Sequence, residues 1–210
     1  MQKMDIRAFT LGPVGTNFYI AVNKDTKEAL LIDPADQAAG IESYLRQNQL
    51  QPVAILLTHG HFDHIMAVNE LKASLDLPVY AHEDEEEVLK SVRLNMSNMI
   101  GARYVSEADF YLKDGDTLEL AGFHIIVYHT PGHTRGGCCF YIPDEKVLFS
   151  GDTLFNCSIG RTDFPTGSMS VLVRSIKEKL FVLPDDVVVY PGHEGVTNIG
   201  FEKQHNPFLQ

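Results

Sequence analysis

Four potential metal ligands lie within six residues of one another, in the run Thr58-His59-Gly60-His61-Phe62-Asp63-His64. The run follows a short apolar segment, residues 52–57, of the kind that forms a buried strand. Because a strand end is rigid and the loop after it is exposed, such a junction can direct several side chains to one point. Imidazole and carboxylate groups are ligands that zinc, iron and manganese accept. We favour a metal site over the alternative, a capped helix start with exposed histidines.

Three later junctions each add one residue of a ligand type. Each follows a predicted strand and contains a glycine beside the polar residue: Pro131-Gly132-His133, Ser150-Gly151-Asp152 and Pro191-Gly192-His193. Glycine allows a sharp turn or a close approach of the backbone at such positions. A lone Pro-Gly-His is more often a turn with a surface histidine. All three together, after the histidine-rich run, indicate one shared site.

The hydrophobic pattern predicts many strands with helices between and after them. Strands are expected at residues 4–10, 17–22, 28–33, 52–57, 116–120, 122–129, 137–142, 146–149 and 187–190. Helices are expected after Asp33-Pro34, with Asp33 as the N-cap, after His64, at 83–90 and at 168–180. Residues 91–107 have no clear pattern. This order of strands and helices favours a mixed α/β (α+β) fold with two sheets covered by helices, rather than a doubly wound parallel sheet. The length of 210 residues favours one domain.

Charge and composition exclude several partners. Seventeen basic against 28 acidic side chains give a formal charge of −11, which repels nucleic acids and anionic membrane surfaces. Neither a signal-peptide core nor an apolar run of the ~18 residues of a membrane span is present, so a cytoplasmic protein is expected. The three cysteines are expected to be small buried thiols. The oligomeric state stays open.

The motifs resemble those of the metallo-β-lactamase superfamily, whose pattern is Thr-His-x-His-x-Asp-His followed by a His, an Asp and a His at later strand ends. The resemblance implies a four-layer αβ/βα sandwich, two mixed sheets flanked by helices, with two divalent metal ions at one edge. Zinc is the first expectation, with iron or manganese as alternatives. The resemblance also implies that Asp63 and Asp152 are catalytic. By this resemblance, one ion is held by His59, His61 and His133, the other by Asp63, His64 and His193, and Asp152 bridges both.

Two longer segments, residues 150–168 and 191–208, look like the short, single-domain glyoxalase II-like hydrolases of bacteria, which are similar to hydroxyacylglutathione hydrolases. This resemblance implies hydrolysis of S-lactoylglutathione or a related small acyl thioester, with a water between the ions as nucleophile. The single domain, residues 1–210, is expected to lack the C-terminal helical domain with which full-length glyoxalase II binds glutathione. The absence of a cysteine ligand and the presence of His61 disfavour two other branches, the secreted β-lactamases and the flavo-diiron oxygen reductases.

Two alternatives remain open. Residues 160–164 also resemble persulfide dioxygenases, which use one iron held at positions matching His59, His133 and Asp152. A weaker alternative is a non-catalytic domain that keeps metal for stability. Arg161 is the candidate for binding a substrate carboxylate, although pairing with Asp163 is an equally good interpretation. The remaining histidines are interpreted as structural or surface residues: His82, His124, His129 and His205.

Overall fold

Two six-stranded sheets and a two-stranded hairpin are the main elements of the computed structural model, which describes residues 3–210. The strands are β1 (Met4–Leu11), β2 (Thr16–Asn23), β3 (Glu28–Ile32), β4 (Gln51–Leu56), β5 (Val79–His82), β6 (Phe110–Leu112), β7 (Thr117–Leu120), β8 (Phe123–His129), β9 (Cys138–Ile142), β10 (Val147–Gly151), β11 (Leu154–Phe155), β12 (Ser158–Ile159), β13 (Val188–Pro191) and β14 (Thr197–Asn198). The α-helices are α1 (Ala38–Gln47), α2 (Phe62–Ile65), α3 (Val68–Leu75), α4 (Glu86–Leu89), α5 (Met169–Ser175) and α6 (Ile199–His205). Short 3₁₀ segments lie at Glu83–Glu85, Ser97–Ile100 and Pro143–Glu145, and α5 continues as a π-helical segment at Ile176–Leu180.

Both sheets are mixed. The first has the order β1-β2-β3-β4-β5-β6, antiparallel from β1 to β3 and parallel from β3 to β6. The second has the order β14-β13-β10-β9-β8-β7 and is antiparallel except for the β10–β13 pair. Parallel strands end at the same edge of their sheet, so the loops after β3, β4, β10 and β13 can converge.

The sheets pack face to face because their strands are apolar on alternate residues or on both faces. In β2, Tyr19 and Ala21 join the core between the sheets, while Phe18 and Ile20 join the core under α1 and α3. A third core lies between the second sheet and helices α5 and α6. The order of layers is therefore helix, sheet, sheet, helix, which confirms the predicted fold class. Each fully buried Leu or Phe in these cores contributes about 1.5–3 kcal/mol.

Some local predictions were wrong. Asp33 does not cap a helix: it has a left-handed φ of 52°, and α1 begins only at Ala38. Strands β5, β6, β11, β12 and β14 were missed because two to four residues are too few for a recognisable alternation. Of the three cysteines expected to be buried, Cys138 and Cys139 are, whereas Cys157 is exposed at the turn between β11 and β12.

Within residues 3–210, none of the helices has both the length and the apolar character needed to cross a bilayer.

Candidate metal centre

The Thr58–His64 loop leaves the first sheet directly after β4. Strand β4 lies between β3 and β5, and its last residues are fully buried, so the point at which the loop begins is rigid. His59, His61 and His64 are only 2%, 3% and 0% exposed, respectively. The alternative of exposed histidines at a helix start is therefore wrong: the side chains point into the protein.

The second sheet brings its ligand residues to the same place. Strands β10 and β13 run parallel with Gly151 opposite Pro191, so Asp152 and His193 emerge side by side. At Gly192 the backbone approaches so closely that an added Cβ would lie 2.3 Å from Asp152 Oδ1. The Thr58 carbonyl accepts a hydrogen bond from the amide of Cys138 (2.9 Å), which ties the two sheets together beside the site.

All seven predicted ligand residues meet at this edge. The candidate ligand atoms of His59, His61 and His133 lie within 4.8 Å of one another, and so do those of Asp63, His64 and His193. Asp152 lies between the two groups: its Oδ2 is 3.4 Å from His133 Nε2 and 3.6 Å from His193 Nε2, and its Oδ1 is 3.4 Å from His64 Nε2. The arrangement has the form expected of two ion sites with a shared carboxylate.

Unsatisfied buried atoms support a cation at this point. Within residues 3–210, hydrogen-bond partners are missing for four buried atoms of the site: His59 Nε2, His61 Nε2, His64 Nε2 and Asp152 Oδ1. Buried polar atoms are normally satisfied, because an unmet hydrogen bond costs about 1–3 kcal/mol. His133 Nδ1 donates to the Arg161 carbonyl (2.7 Å), so the lone pair of this ring is on Nε2, which faces His61 Nδ1 at 2.8 Å inside the site. The donor set therefore fits zinc, iron or manganese.

Asp33 orients two of these histidines. Its Oδ2 accepts a hydrogen bond from His64 Nδ1 (2.9 Å) and another from the Thr58 hydroxyl (2.6 Å). Because that hydroxyl donates to Asp33, it can accept from His59 Nδ1 at 3.2 Å. The Asp33 carboxylate thus keeps the proton of His64 and, through Thr58, that of His59 on Nδ1. The Nε2 lone pairs of both rings therefore face the site. The Asp33-Pro34 pair predicted a helix cap, whereas Asp33 directly follows β3, next to β4, and so faces the Thr58–His64 loop.

We expect Asp33→Asn to lower metal affinity about 10- to 100-fold. The side-chain amide introduced at position 33 would place an N–H donor against the N–H and O–H donors of Thr58 or against His64 Nδ1. Two donors would then face each other, which favours the wrong tautomer of the His64 ring. Competition with a chelator measures the change. Asp109→Asn is the matched control, because Asp109 also accepts from a backbone amide, that of Val79 at 2.9 Å, but touches no ligand residue. Equal losses in both variants would contradict this role.

The electrostatics of the cluster also favour a cation. Burial lowers the pKa of His59 well below its ordinary value, and neighbouring imidazoles lower it further. Burial likewise lowers the pKa of His61 to about 3. For Asp152, burial acts to raise the pKa, but His64 and other histidines outweigh it and hold that pKa below the usual range. For His64, burial acts to lower the pKa, but Asp63, Asp152 and Asp33 outweigh it and raise that pKa well above its ordinary value. The surplus of carboxylate charge around His64 favours a cation there, and metal binding requires that this imidazole give up its proton.

Two further residues support the ligands. Thr16 donates a hydrogen bond to Asp63 Oδ2 (2.6 Å). Glu85, which is fully buried, accepts from the amides of Gly60 (2.9 Å) and Gly136 (2.8 Å) and from the hydroxyl of Thr134 (3.0 Å). It therefore joins the loop of His59 and His61 to the loop of His133. Burial raises the pKa of Glu85 to about 7, against the lowering effect of its three donors. In the sequence, Glu85 falls within the helix expected at residues 83–90, and nothing nearby indicates this role.

Arg161 lines the cavity in front of the site, but its guanidinium is already engaged. It makes two bonds of 2.8 Å to the carboxylate of Asp163 and lies 3.8 Å from the ring centre of Phe164. The pairing of Arg161 with Asp163, which the sequence suggested as one of two roles for this arginine, is thus observed. Its contact with a substrate carboxylate stays a prediction.

A second group of possible ligands, His82, Asp84 and His129, has its ligand atoms within 4.8 Å of one another. His82 Nδ1 accepts from the amide of Asp84 (3.2 Å), and His129 Nε2 lies 2.9 Å from the carbonyl oxygen of Arg135. The two rings stack with centroids 3.8 Å apart. These contacts occupy the nitrogens concerned and agree with a structural interpretation of both histidines.

The sequence of residues 11–193 matches the family described as the metallo-beta-lactamase superfamily. The chain belongs to this superfamily. Among curated relatives of the superfamily, it is 38% identical to "Probable metallo-hydrolase YqgX" of Bacillus subtilis over 98% of both chains. It is 37% identical to "Hydroxyacylglutathione hydrolase GloC" of Haemophilus influenzae, over 88% of this chain and 89% of that protein.

Solved structures of the superfamily agree with the fold. BLEG-1, a B3 metallo-beta-lactamase, superposes with a TM-score of 0.93 at 42% identity, covering 98% of this chain and 99% of BLEG-1. TTHA1623 in a di-iron-bound form has a TM-score of 0.85 at 37% identity, over 97% and 100% of the two chains. ETHE1 from Myxococcus xanthus has a TM-score of 0.82 at 30% identity, over 97% and 84%. These likenesses establish a metallo-hydrolase-type fold and leave the substrate to be inferred.

Proposed function

We propose that the protein is a metal-dependent hydrolase of acyl thioesters, of glyoxalase II type, with S-lactoylglutathione or a related small thioester as substrate. The observation that carries the proposal is the assembly of both ligand groups, with Asp152 between them, at the floor of a cavity of about 550 Å³. A cavity of this size suits a small organic substrate. The likeness to GloC over most of both chains supports the thioester class.

The residues fit two divalent ions, zinc, iron or manganese. His59, His61 and His133 would hold one ion, Asp63, His64 and His193 the other, and Asp152 both. When bound, such ions acidify water and polarise a carbonyl group. The di-iron form of TTHA1623 supports a two-ion centre and keeps iron among the candidates.

The protein's own groups have separate tasks in this reaction. Water adds to the carbonyl carbon, the C–S bond breaks, and the products are a carboxylic acid and a thiol. We assign to Asp63 the transfer of a proton from the water to the leaving sulfur, because its carboxylate faces the cavity and its Oδ2 is held in place by Thr16. Asp152 keeps negative charge between the two ligand groups. Neither task needs a serine or cysteine nucleophile.

The decisive experiment offers the purified, metal-loaded protein several substrates under one set of conditions. We expect free thiol to appear from S-lactoylglutathione or a simpler thioester in the absence of oxygen. Oxygen uptake and sulfite formation with glutathione persulfide, without thioester cleavage, would instead establish the dioxygenase alternative. Cleavage of a β-lactam much faster than any thioester would contradict the proposal and favour the activity named for BLEG-1. No turnover of any substrate would favour the non-catalytic domain.

A further inference from the structure

The cavity in front of the ligand groups has an apolar wall. Val14, from the β1–β2 turn, is 53% exposed, and Met99 and Ile100, from the 3₁₀ segment Ser97–Ile100, are 65% and 43% exposed. Phe155 and Ile159 of the β11–β12 hairpin line the same cavity. Large apolar side chains left exposed together beside polar groups are typical of a binding surface rather than of a solvated loop.

The side-chain charges at the rim of this cavity offer no partner to an anionic group of a ligand. Among the described residues that line the cavity, Arg161 is the one with a permanent positive charge, and Asp163 neutralises it through two hydrogen bonds. Glu194 adds a negative charge to the same rim. The side chains of the whole chain sum to −11, which disfavours an anion at the rim, while the two ions proposed above would offset this charge only at the floor of the cavity. The glutathione part of a thioester has two carboxylates, and this rim offers them no unpaired cation.

We propose that the preferred substrates are thioesters that carry an uncharged, apolar chain, which lies against Val14, Met99 and Ile100 while the thioester carbonyl faces the ligand groups. This inference rests on the proposed function and narrows its substrate class. Burying an apolar chain against these side chains removes apolar surface from water, and each buried methylene strengthens binding about fourfold. The apolar chain of the substrate can belong to the acyl group or to the thiol, and the test below distinguishes these two cases.

The test compares kcat/KM of the metal-loaded full chain for four thioesters. These are hexanoyl-N-acetylcysteamine, acetyl-N-acetylcysteamine, the acetyl thioester of hexanethiol, and S-lactoylglutathione. We expect at least one six-carbon thioester to exceed both acetyl-N-acetylcysteamine and S-lactoylglutathione by about 16-fold or more, the effect of two buried methylenes. The better of the two six-carbon compounds identifies the side that carries the apolar chain.

Substitutions locate the effect on the apolar wall. Met99→Gln should reduce the preference for the six-carbon thioester over the acetyl thioester about fourfold or more. Met169→Gln should leave that preference unchanged, because Met169 is also an exposed methionine (44%) but lies at the start of α5 and does not line the cavity.

The outcomes separate this inference from the proposed function. Hydrolysis of all four compounds at similar rates, or fastest with S-lactoylglutathione, overturns the inference and leaves the hydrolase intact. Equal effects of both methionine substitutions also overturn it. Failure to cleave any thioester overturns the proposed function and this inference with it.

Discussion

Replacement of Asp152 by alanine is expected to lower turnover by more than about 100-fold. Removal of a residue that only hydrogen-bonds to a metal ligand typically lowers metal affinity or activity about 10- to 100-fold. We expect a larger loss here, because Asp152 itself faces both ligand groups. His59→Ala is expected to have a comparable effect through the loss of one imidazole, whose Nε2 lies buried in the site without another partner. Steady-state rates with the best thioester, at saturating metal, measure both changes.

Two other histidines provide the controls. His205 lies on α6, exposed, with its Nδ1 3.0 Å from the carbonyl oxygen of Phe201, and His82 is buried in the stack with His129. His205→Ala and His82→Ala are expected to keep activity within a few fold of the unmodified protein. Similar losses in all four variants would show that the assignment of ligands does not distinguish the site from the rest of the fold.

Removal of metal is expected to abolish turnover and to lower the melting temperature. A ligand present at 100 times its Kd stabilises the folded state by about 2.7 kcal/mol, which corresponds to about 5–11 °C for a chain of this size. The effect arises because the ligand residues come from four separate loops, which the unfolded chain does not hold together. Calorimetry before and after chelation measures the shift, and elemental analysis of the reconstituted protein should give two ions per chain.

A different stoichiometry would change the interpretation. At most one ion per chain after reconstitution would contradict the two-ion centre. If that one ion were iron, the dioxygenase alternative would gain support, since it needs only His59, His133 and Asp152. An unchanged melting temperature after complete removal of metal would mean that the seven side chains are held by the fold alone.

The seven candidate ligand residues could be identified from the sequence because their signal is local. Histidine and aspartate at strand ends, next to glycine, are visible in the printed sequence, and all seven predicted residues lie together in the structure. Asp33 and Glu85 were not found because their partners are distant in sequence. Asp33 bonds to Thr58 and His64, 25 and 31 residues away, and Glu85 joins loops 25 and 51 residues away. No local pattern marks such a residue.

The sequence by itself determined nine of the fourteen strands of residues 3–210, the arrangement of two sheets covered by helices, and the set of residues able to bind metal. Each of these depends on the period of hydrophobic residues or on side-chain chemistry at a turn. Only the tertiary structure decided which lone pairs face the site, since Asp33 and the carbonyl of Arg161 select the histidine tautomers. It also decided that Arg161 is neutralised by Asp163 and that Met99 and Ile100 lie beside the ligand groups. These features depend on the packing of segments that are far apart in the chain, and packing of this kind has no periodic signature in the sequence.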